Sequence, residues 1–271
     1  MIIAILAILG LAFGSFVNAL VWRLHEQNKS KSKKLSILYG HSMCPNCKHQ
    51  LAIKDLVPVF SWVFLRGKCR YCKKPISKQY PLVELLVVVL FVVSYVAWPI
   101  NLNSNWQYLN FATWLVILVG LTALAVYDNK WMILPDKIIY RVIVFAIIST
   151  MLQFALGRPG KDITEVLLSV IIGGGLFWLI YQVSLGKWIG GGDVKLGFLL
   201  GILVAKPELA LLLLFFSSIL GLVWILPLMI SKKITRTSKV PFGPFLIMAA
   251  MIVVLFGQHV INWYQSFILV S

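Results

Sequence analysis

The sequence predicts an all-α polytopic membrane protein with about eight transmembrane helices and a small cytoplasmic loop domain after the first helix. Hydrophobic residues fill 60% of the 271 positions and charged residues only 13%, which is about half the charged share of a soluble domain. The chain contains about eight apolar segments near the roughly 20 residues that a helical span requires. Its basic residues also collect in alternate loops. Lipid is therefore the expected solvent for most of its surface.

The apolar segments define the expected order of elements. The first has no basic residue before it and no clear small-residue cleavage site after it, so we interpret it as a retained helix rather than a secretory signal. The sixth is short and rich in glycine. The spans are predicted roughly at residues 2–22, 81–98, 108–127, 138–156, 165–185, 194–206, 208–230 and 241–261. We expect three regions, namely the first helix (1–22), a polar cytoplasmic domain (23–80) and a larger membrane domain (81–271).

Loop charges predict the orientation of these spans. The segment 23–80 holds 13 Lys or Arg residues and only two acids, Glu26 and Asp55, and cytoplasmic loops carry such an excess of positive charge. With alternating spans, 22 of the 25 basic residues fall in or beside cytoplasmic loops, and three fall outside. Both termini are then expected outside. The net charge of +16 is interpreted as a topology signal, and we expect no nucleic-acid partner.

All four cysteines lie in the cytoplasmic segment as two Cys-x-x-Cys pairs, Cys44 with Cys47 and Cys69 with Cys72. The pairs are 21 residues apart, one residue beyond the usual spacing of a zinc ribbon. A reducing compartment disfavours disulfides, and four thiolates complete a tetrahedral structural Zn²⁺ site without an open position. We predict such a zinc staple, with a redox pair or uncoordinated thiols as alternatives. The neighbouring His41 and His49 are expected to be bystanders.

Only nine acids occur in the chain, and three aspartates fall at cytoplasmic ends of predicted spans. Asp128 closes the third span, Asp136 follows in Leu-Pro-Asp, and Asp193 follows the glycines 190–192. An ionisable residue at membrane depth is a functional hypothesis by default. Glu84, one turn into the second span, is open to three interpretations: a packing hydrogen-bonder, a membrane-edge residue or part of a site.

Two aspartates at one membrane edge suit a defined chemistry. When two carboxyls come within hydrogen-bonding distance, they share a proton. The ionised member activates water while the protonated member polarises a carbonyl group. From the residues alone, an aspartyl dyad, an ion or proton pathway, and packing at helix starts all remain open.

Six motifs in order resemble the type IV prepilin peptidases, also called leader peptidase/N-methyltransferases. The first is Gly-Ser-Phe-Val-Asn at 14–18 with Arg23-Leu24 after it, and the second is the tetracysteine loop. The others are Tyr-Pro-Leu-Val-Glu-Leu-Leu at 80–86, Asp128 eight residues before the Asp of Leu-Pro-Asp, Gly-Gly-Gly-Asp-Val-Lys at 190–195, and Pro-Phe-Gly-Pro at 241–244. The resemblance covers nearly the whole chain.

The resemblance implies an intramembrane aspartic endopeptidase in which Asp128 and Asp193 are catalytic and Asp136 is a motif neighbour. Residues expected to support the site are Asp136, Gly190, Gly192, Lys195 and Glu84. The family cleaves prepilins or pseudopilins after a glycine, on the cytoplasmic side of the bacterial inner membrane. Long members also methylate the new N-terminus with S-adenosylmethionine, and the resemblance implies this donor as a cofactor beside structural zinc.

Two other functions compete with this interpretation. A transporter or channel with a regulatory zinc loop predicts polar residues deep in several spans, whereas the last two spans are almost wholly apolar. A non-enzymatic assembly factor for a pilus or secretion machine is the third possibility. Only the protease interpretation predicts cleavage of a prepilin peptide after its glycine.

Overall fold

The computed structural model describes residues 1–30, 41–100, 102–156, 162–235, 238 and 240–270. In these ranges the fold is helical, with two isolated β-bridges inside the cysteine-containing segment. The predicted all-α class is confirmed. Part of the loop-charge argument falls outside the described residues, at Lys31, Lys33, Lys34, Arg158, Lys161, Arg236 and Lys239.

Ten α-helices follow one another along the described chain. They are α1 (Ile2–Ser30), α2 (Phe60–Phe64), α3 (Gln79–Val96), α4 (Asn105–Trp131), α5 (Asp136–Ala155), α6 (Ile163–Val170), α7 (Leu176–Ser184), α8 (Gly191–Val204), α9 (Pro207–Ile230) and α10 (Gly243–Val270). A π-helical segment, Ile171–Gly175, joins α6 to α7, so these two helices form one continuous rod.

Seven helices within the described ranges are long and apolar enough to cross a membrane, which agrees with the predicted membrane protein of about eight spans. The difference is the predicted span at 194–206, which corresponds to α8. With 14 residues, α8 extends about 21 Å, whereas the hydrocarbon core is about 30 Å thick. Its leucines 196, 199 and 200 are fully buried. A short helix enclosed by protein is as apolar as a helix that faces lipid. Composition alone therefore does not tell a protein-enclosed helix from a lipid-facing one.

The chain divides into two compact units, residues 1–96 and 97–271. In the first unit α1 packs along α3, and glycines on α1 allow a close approach. A Cβ atom at Gly10 would lie 2.7 Å from the Cα of Val88, and one at Gly14 would lie 2.5 Å from the Cα of Glu84. Small residues of this kind let membrane helices pack backbone to backbone. The predicted division into regions 1–22, 23–80 and 81–271 stays a prediction.

In the second unit α8 is the central helix and packs against the π segment through small residues. A Cβ at Gly197 would lie 2.5 Å from the carbonyl oxygen of Gly173, and one at Gly201 would lie 2.7 Å from the carbonyl oxygen of Ser169. The Ser169 hydroxyl donates a hydrogen bond of 2.8 Å to the carbonyl of Gly201. These contacts hold α8, and with it the first turn that carries Asp193, in one position.

Candidate active site and metal centre

Asp128 lies in the last turn of α4, where its side chain is almost fully enclosed. The residue is 5% exposed, and the helix ends just beyond it because Met132 adopts a left-handed conformation and donates its N–H to the Asp128 carbonyl. The Asp128 Oδ2 atom accepts a hydrogen bond of 3.1 Å from the backbone N–H of Gly243. Gly243 is the first residue of α10, and helix starts present unpaired N–H groups to acids.

Asp193 lies in the first turn of α8 and is half-buried. Gly190, in an extended conformation before the helix, accepts the Asp193 backbone N–H at 3.0 Å. Burial raises the pKa of Asp193, and the neighbouring negative charge of Asp128 raises it further, to about 6. The two carboxylates are therefore close enough to interact, although they come from helices that lie far apart in the sequence.

Leu134 lies between Gly192, which precedes Asp193, and Gly243, whose N–H binds Asp128. A Cβ at Gly192 would lie 3.0 Å from the Leu134 Cβ, and a Cβ at Gly243 would lie 3.5 Å from a Leu134 methyl group. The same Gly243 Cβ would lie only 2.6 Å from Asp128 Oδ2. The absence of side chains at these two glycines therefore lets α4, α8 and α10 converge around the carboxyl groups.

Asp136 is placed differently from the other two aspartates. Its side chain is 60% exposed and forms an ion pair of 2.6 Å with Lys195, and the Lys195 ammonium also lies over the Tyr140 ring. Lys195 follows Asp193 by two residues on α8, so the pair links the start of α5 to the start of α8. This position agrees with the expected supporting role, which stays a prediction.

The aspartate pair has the attributes of an acid–base dyad. The Asp128 carboxyl is buried against a backbone donor, and burial and the negative charge of Asp128 raise the pKa of Asp193 to about 6. Such a pair holds a single proton over a pH range near neutrality, and its titration belongs to the pair rather than to either residue. The arrangement can activate water and polarise a carbonyl group at the same time.

Glu84 belongs to a separate cluster in the first unit. It is 6% exposed and accepts a hydrogen bond of 2.7 Å from the backbone N–H of Val59 and another from Ser15. One turn along α1, the Asn18 side-chain amide donates to the Tyr80 carbonyl at 3.0 Å. The motifs at 14–18 and 80–86 therefore contact each other, a pairing that neither motif indicated by itself.

The four cysteines form a compact group. Their sulfur atoms all lie within 4.8 Å of one another, and the Cys44 and Cys72 sulfurs are 3.9 Å apart. Tetrahedral zinc with bonds of about 2.3 Å places its sulfurs about 3.8 Å apart. The described residues therefore contain a donor set that fits a metal ion. His49 stacks on Tyr71 and, like His41, is not among the clustered donors.

The two cysteine pairs are built alike. The first cysteine of each pair accepts an N–H from the lysine after the second cysteine, at 2.9 Å from Lys48 and 3.0 Å from Lys73. Both lysines adopt left-handed backbone conformations, with φ of 57° and 59°. A short β-bridge then closes each loop, Met43 to Gln50 and Lys68 to Pro75. The repeated turn aims the cysteines of each pair in the same direction.

Sequence reasoning missed the roles of Gly243 and Leu134 at the aspartate site. The Pro-Phe-Gly-Pro motif at 241–244 pointed to the start of α10, but nothing in it indicated that the Gly243 N–H binds a carboxylate 115 residues away. In the sequence, Leu134 was noted only as the first residue of the Leu-Pro-Asp motif. Contacts between distant segments of this kind have no local sequence pattern.

Comparison with known proteins agrees with the motifs. The family described as Bacterial Peptidase A24 N-terminal domain matches residues 8–98, and the Type IV leader peptidase family matches residues 115–226. A prepilin leader peptidase/N-methyltransferase of Stutzerimonas stutzeri is 30% identical, with 96% of this chain and 92% of the relative covered.

Two further relatives carry similar names. A type 4 prepilin-like proteins leader peptide-processing enzyme of Escherichia coli is 32% identical, covering 88% of this chain and 87% of the relative. A prepilin leader peptidase/N-methyltransferase of Pseudomonas aeruginosa is 29% identical, covering 96% and 92%. No solved structure matches the chain. The resemblance inferred from six motifs is confirmed, and the chain belongs to the type IV leader peptidase family.

Proposed function

We propose that this protein is an intramembrane aspartic endopeptidase that removes the leader peptide of type IV prepilins or pseudopilins, cleaving after a glycine. The observation that carries the proposal is the pairing of Asp128 on α4 with Asp193 on α8. Burial of Asp193, together with the charge of Asp128, raises the pKa of Asp193 to about 6. The names of the relatives support the substrate class. Lys195, Asp136, Gly190 and Gly192 support the two aspartates.

In the proposed mechanism the aspartate pair holds one proton. The ionised carboxylate takes a proton from water as the water oxygen attacks the scissile carbonyl carbon, and the protonated carboxyl donates its proton to the carbonyl oxygen. The tetrahedral intermediate then collapses, the C–N bond breaks, and the leaving nitrogen accepts a proton from the pair. The Gly243 N–H holds the Asp128 carboxylate in place, so that little reorganisation is needed during reaction.

We further propose that the site faces the cytoplasm of a bacterial inner membrane. With the predicted span at 194–206 counted as a crossing, which gives eight crossings, both termini lie outside. Loop charges support this orientation, because 22 of 25 basic residues fall on the proposed inner side. The leader of a prepilin is basic and would lie in the cytoplasm, while its apolar helix lies in the lipid. The junction between the two would then lie beside the aspartate pair.

The test uses full-length protein in sealed vesicles with a prepilin peptide as substrate. Asp128→Asn and Asp193→Asn are each expected to abolish cleavage, because an amide cannot exchange a proton with water or with the leaving group. Asp162→Asn is the matched control: Asp162 caps α6 through the Thr164 N–H, and asparagine caps equally well. Mass spectrometry should find a product cut after glycine only when the peptide is added on the cytoplasmic face.

Cleavage that persists in either active-site variant removes that residue from the mechanism. A wild-type protein that inserts, folds and leaves the peptide intact favours the transporter or assembly-factor alternatives. Cleavage from the opposite face would overturn the proposed orientation while leaving the dyad in place.

We propose that the four cysteines bind structural Zn²⁺. The clustered sulfurs support four-thiolate coordination, which leaves no open position for catalysis. Within its described residues, the surrounding segment contains two short helical pieces, the 3-10 helix Ile53–Asp55 and the five-residue α2, and such small segments are commonly stabilised by a metal. Metal analysis of the purified protein should find about one zinc per chain, and protein without stoichiometric metal would contradict the proposal.

The relatives' names also include N-methyltransferase, and we propose that this chain methylates the newly exposed N-terminal amine. S-adenosylmethionine, when bound, supplies an electrophilic methyl group on a sulfonium centre. Methyl transfer would require the new N-terminal amine in its neutral form, and the amine would then lose a proton. The protein must therefore bind a cationic methyl donor and provide a group that accepts the proton lost by the amine.

A further inference from the structure

The cysteine-containing segment exposes large apolar side chains, although it is predicted to lie in the cytoplasm. We call the set the apolar patch, and its members are Ile53, Val57, Phe60, Val63 and Phe64. Ile53 is 88% and Phe64 82% exposed, and the 3-10 helix that begins at Ile53 contacts α2. Single exposed apolar residues are ordinary, whereas a group of this kind marks a surface that contacts protein or lipid.

In α2 the arrangement of a water-exposed helix is reversed. Phe60, Val63 and Phe64 are exposed, whereas Ser61 and Trp62 line an internal cavity of the first unit. The Trp62 indole N–H also donates inward, to a backbone carbonyl at 3.2 Å. A helix on an aqueous surface buries its apolar side chains and exposes its polar ones. The reversed arrangement suits a surrounding that is itself apolar.

A hydrogen bond fixes the depth of this segment along α3. The Val59 N–H donates to the Glu84 carboxylate at 2.7 Å, and Glu84 is the sixth residue of α3. With 18 residues, α3 is about 27 Å long, slightly less than the hydrocarbon thickness of about 30 Å. The whole helix is therefore needed to cross the membrane, and Glu84 lies just inside the membrane edge. Val57 and Phe60, which flank Val59, therefore lie near the level of the lipid headgroups.

Basic side chains border the patch. Lys54, Arg66 and Lys68 are exposed, and within the described residues none of them has an ion-pair partner. The one acid of the segment, Asp55, is paired with a neighbouring arginine at 2.6 Å. Aromatic and apolar side chains with cations beside them are typical of segments that lie in the interface of anionic membranes. A second copy of the same patch is a poor partner, because it would bring like charges together.

We propose that the apolar patch inserts into the boundary between headgroups and acyl chains, so that the cysteine-containing segment lies on the membrane surface. The partner is the lipid itself, with acyl chains against Phe60 and Phe64 and anionic phosphate groups beside Lys54 and Lys68. The insertion uses neither the aspartate pair nor the clustered sulfur atoms, and it does not depend on the proposed peptidase activity.

Photo-crosslinking of full-length, metal-loaded protein tests this placement. The protein is held in nanodiscs of phosphatidylglycerol and phosphatidylcholine, and p-benzoyl-phenylalanine replaces Phe60 or Phe64, whose shape it resembles. Mass spectrometry then identifies the captured molecule, which should be lipid at both positions. The matched control position is Lys74, which is exposed in the same segment outside the patch and should give no lipid adduct above background.

A double substitution measures how firmly the patch holds the segment. Phe60→Asp together with Phe64→Asp places two acids against anionic lipid and should release the segment from the membrane. Trypsin should then cut after Lys54 or Arg66 about tenfold faster in nanodiscs, the factor that about 1.4 kcal/mol produces. Metal content should match the wild type, since both phenylalanines are exposed. Lys74→Asp adds an acid outside the patch and should leave the cleavage rate unchanged.

Three results would overturn the proposal. The first is an absence of lipid adducts at positions 60 and 64 in folded, metal-loaded protein. The second is capture of another copy of the chain, or of an added prepilin peptide, in place of lipid, which would make the patch a protein-binding surface. The third is unchanged resistance to trypsin in the double variant. Leader cleavage enters none of these measurements, so their outcome is independent of the peptidase proposal.

Discussion

The cysteine centre and the aspartate pair are assembled in opposite ways. All four cysteines lie between residues 44 and 72, and each pair is positioned by its own turn. The aspartate pair needs the end of α4, the start of α8 and the start of α10, which are separated by up to 115 residues. The first site is organised locally and offers four sulfur donors to a metal ion, whereas the second exists only when three helices pack correctly.

The largest expected effect comes from removing the metal ligands. The double change Cys44→Ser and Cys72→Ser should eliminate metal binding and loosen the loop, because structural zinc contributes about 10–16 kcal/mol in small domains. Metal analysis and limited proteolysis measure these two losses. The cleavage rate per inserted molecule should change far less, since the aspartate site draws on other residues.

The conservative change Cys44→Ala alone serves as a milder comparison, with abundance expected to fall more than the cleavage rate. A cysteine variant that keeps its loop folded but loses only cleavage would show that the cysteine centre acts in the peptidase step. In that case the contrast between the two sites would be wrong.

A smaller but selective effect is expected from Gly243→Ala. The added Cβ would lie 2.6 Å from Asp128 Oδ2, so either the carboxylate or the start of α10 must move. Removal of one preorganised donor typically reduces kcat by about 10²–10³-fold, and displacement of the donor should cost about tenfold to a hundredfold. Steady-state cleavage measures the loss, and zinc content should remain unchanged.

Gly221→Ala is the matched control, since a Cβ there would meet only ordinary contacts at 3.8 Å or more. It should retain cleavage and stability. Equal activity of the two alanine variants would mean that the Gly243 N–H is not needed to position Asp128.

The smallest effect concerns the charge of one aspartate on the other. Burial and the Asp128 charge raise the pKa of Asp193 to about 6. Asp128→Asn removes the charge and leaves the burial, so the pKa of Asp193 should fall below its wild-type value. An infrared titration of the protonated carboxyl band measures this change, with Asp193→Asn used to assign the band. An unchanged pKa would show that the two groups do not interact.

Sequence reasoning predicted the helical class, which is confirmed, because that class rests on composition. It also selected the two cysteine pairs and the two aspartates as candidate site residues, because each lies in a motif of a few residues, and their roles stay predictions. It placed the sixth span at α8, which is apolar on all sides yet has only 14 residues. It left Glu84 with three interpretations, and the structure places the residue in a cluster with Ser15 and Val59. Hydropathy does not distinguish burial in protein from burial in lipid.

By itself, the sequence determined that the protein spans a membrane, which segments carry its basic loops, and which four thiols can share one metal ion. These properties depend on the transfer of side chains into lipid and on short turns that bring neighbouring cysteines together. Both depend on residues close together in the sequence. Only the tertiary structure decided that the Gly243 N–H contacts Asp128, that Asp136 pairs with Lys195, and that Glu84 and Arg23 line one cavity. Such contacts form only when helices that are distant in the chain pack together. Small residues on these helices allow the close approach that this packing requires.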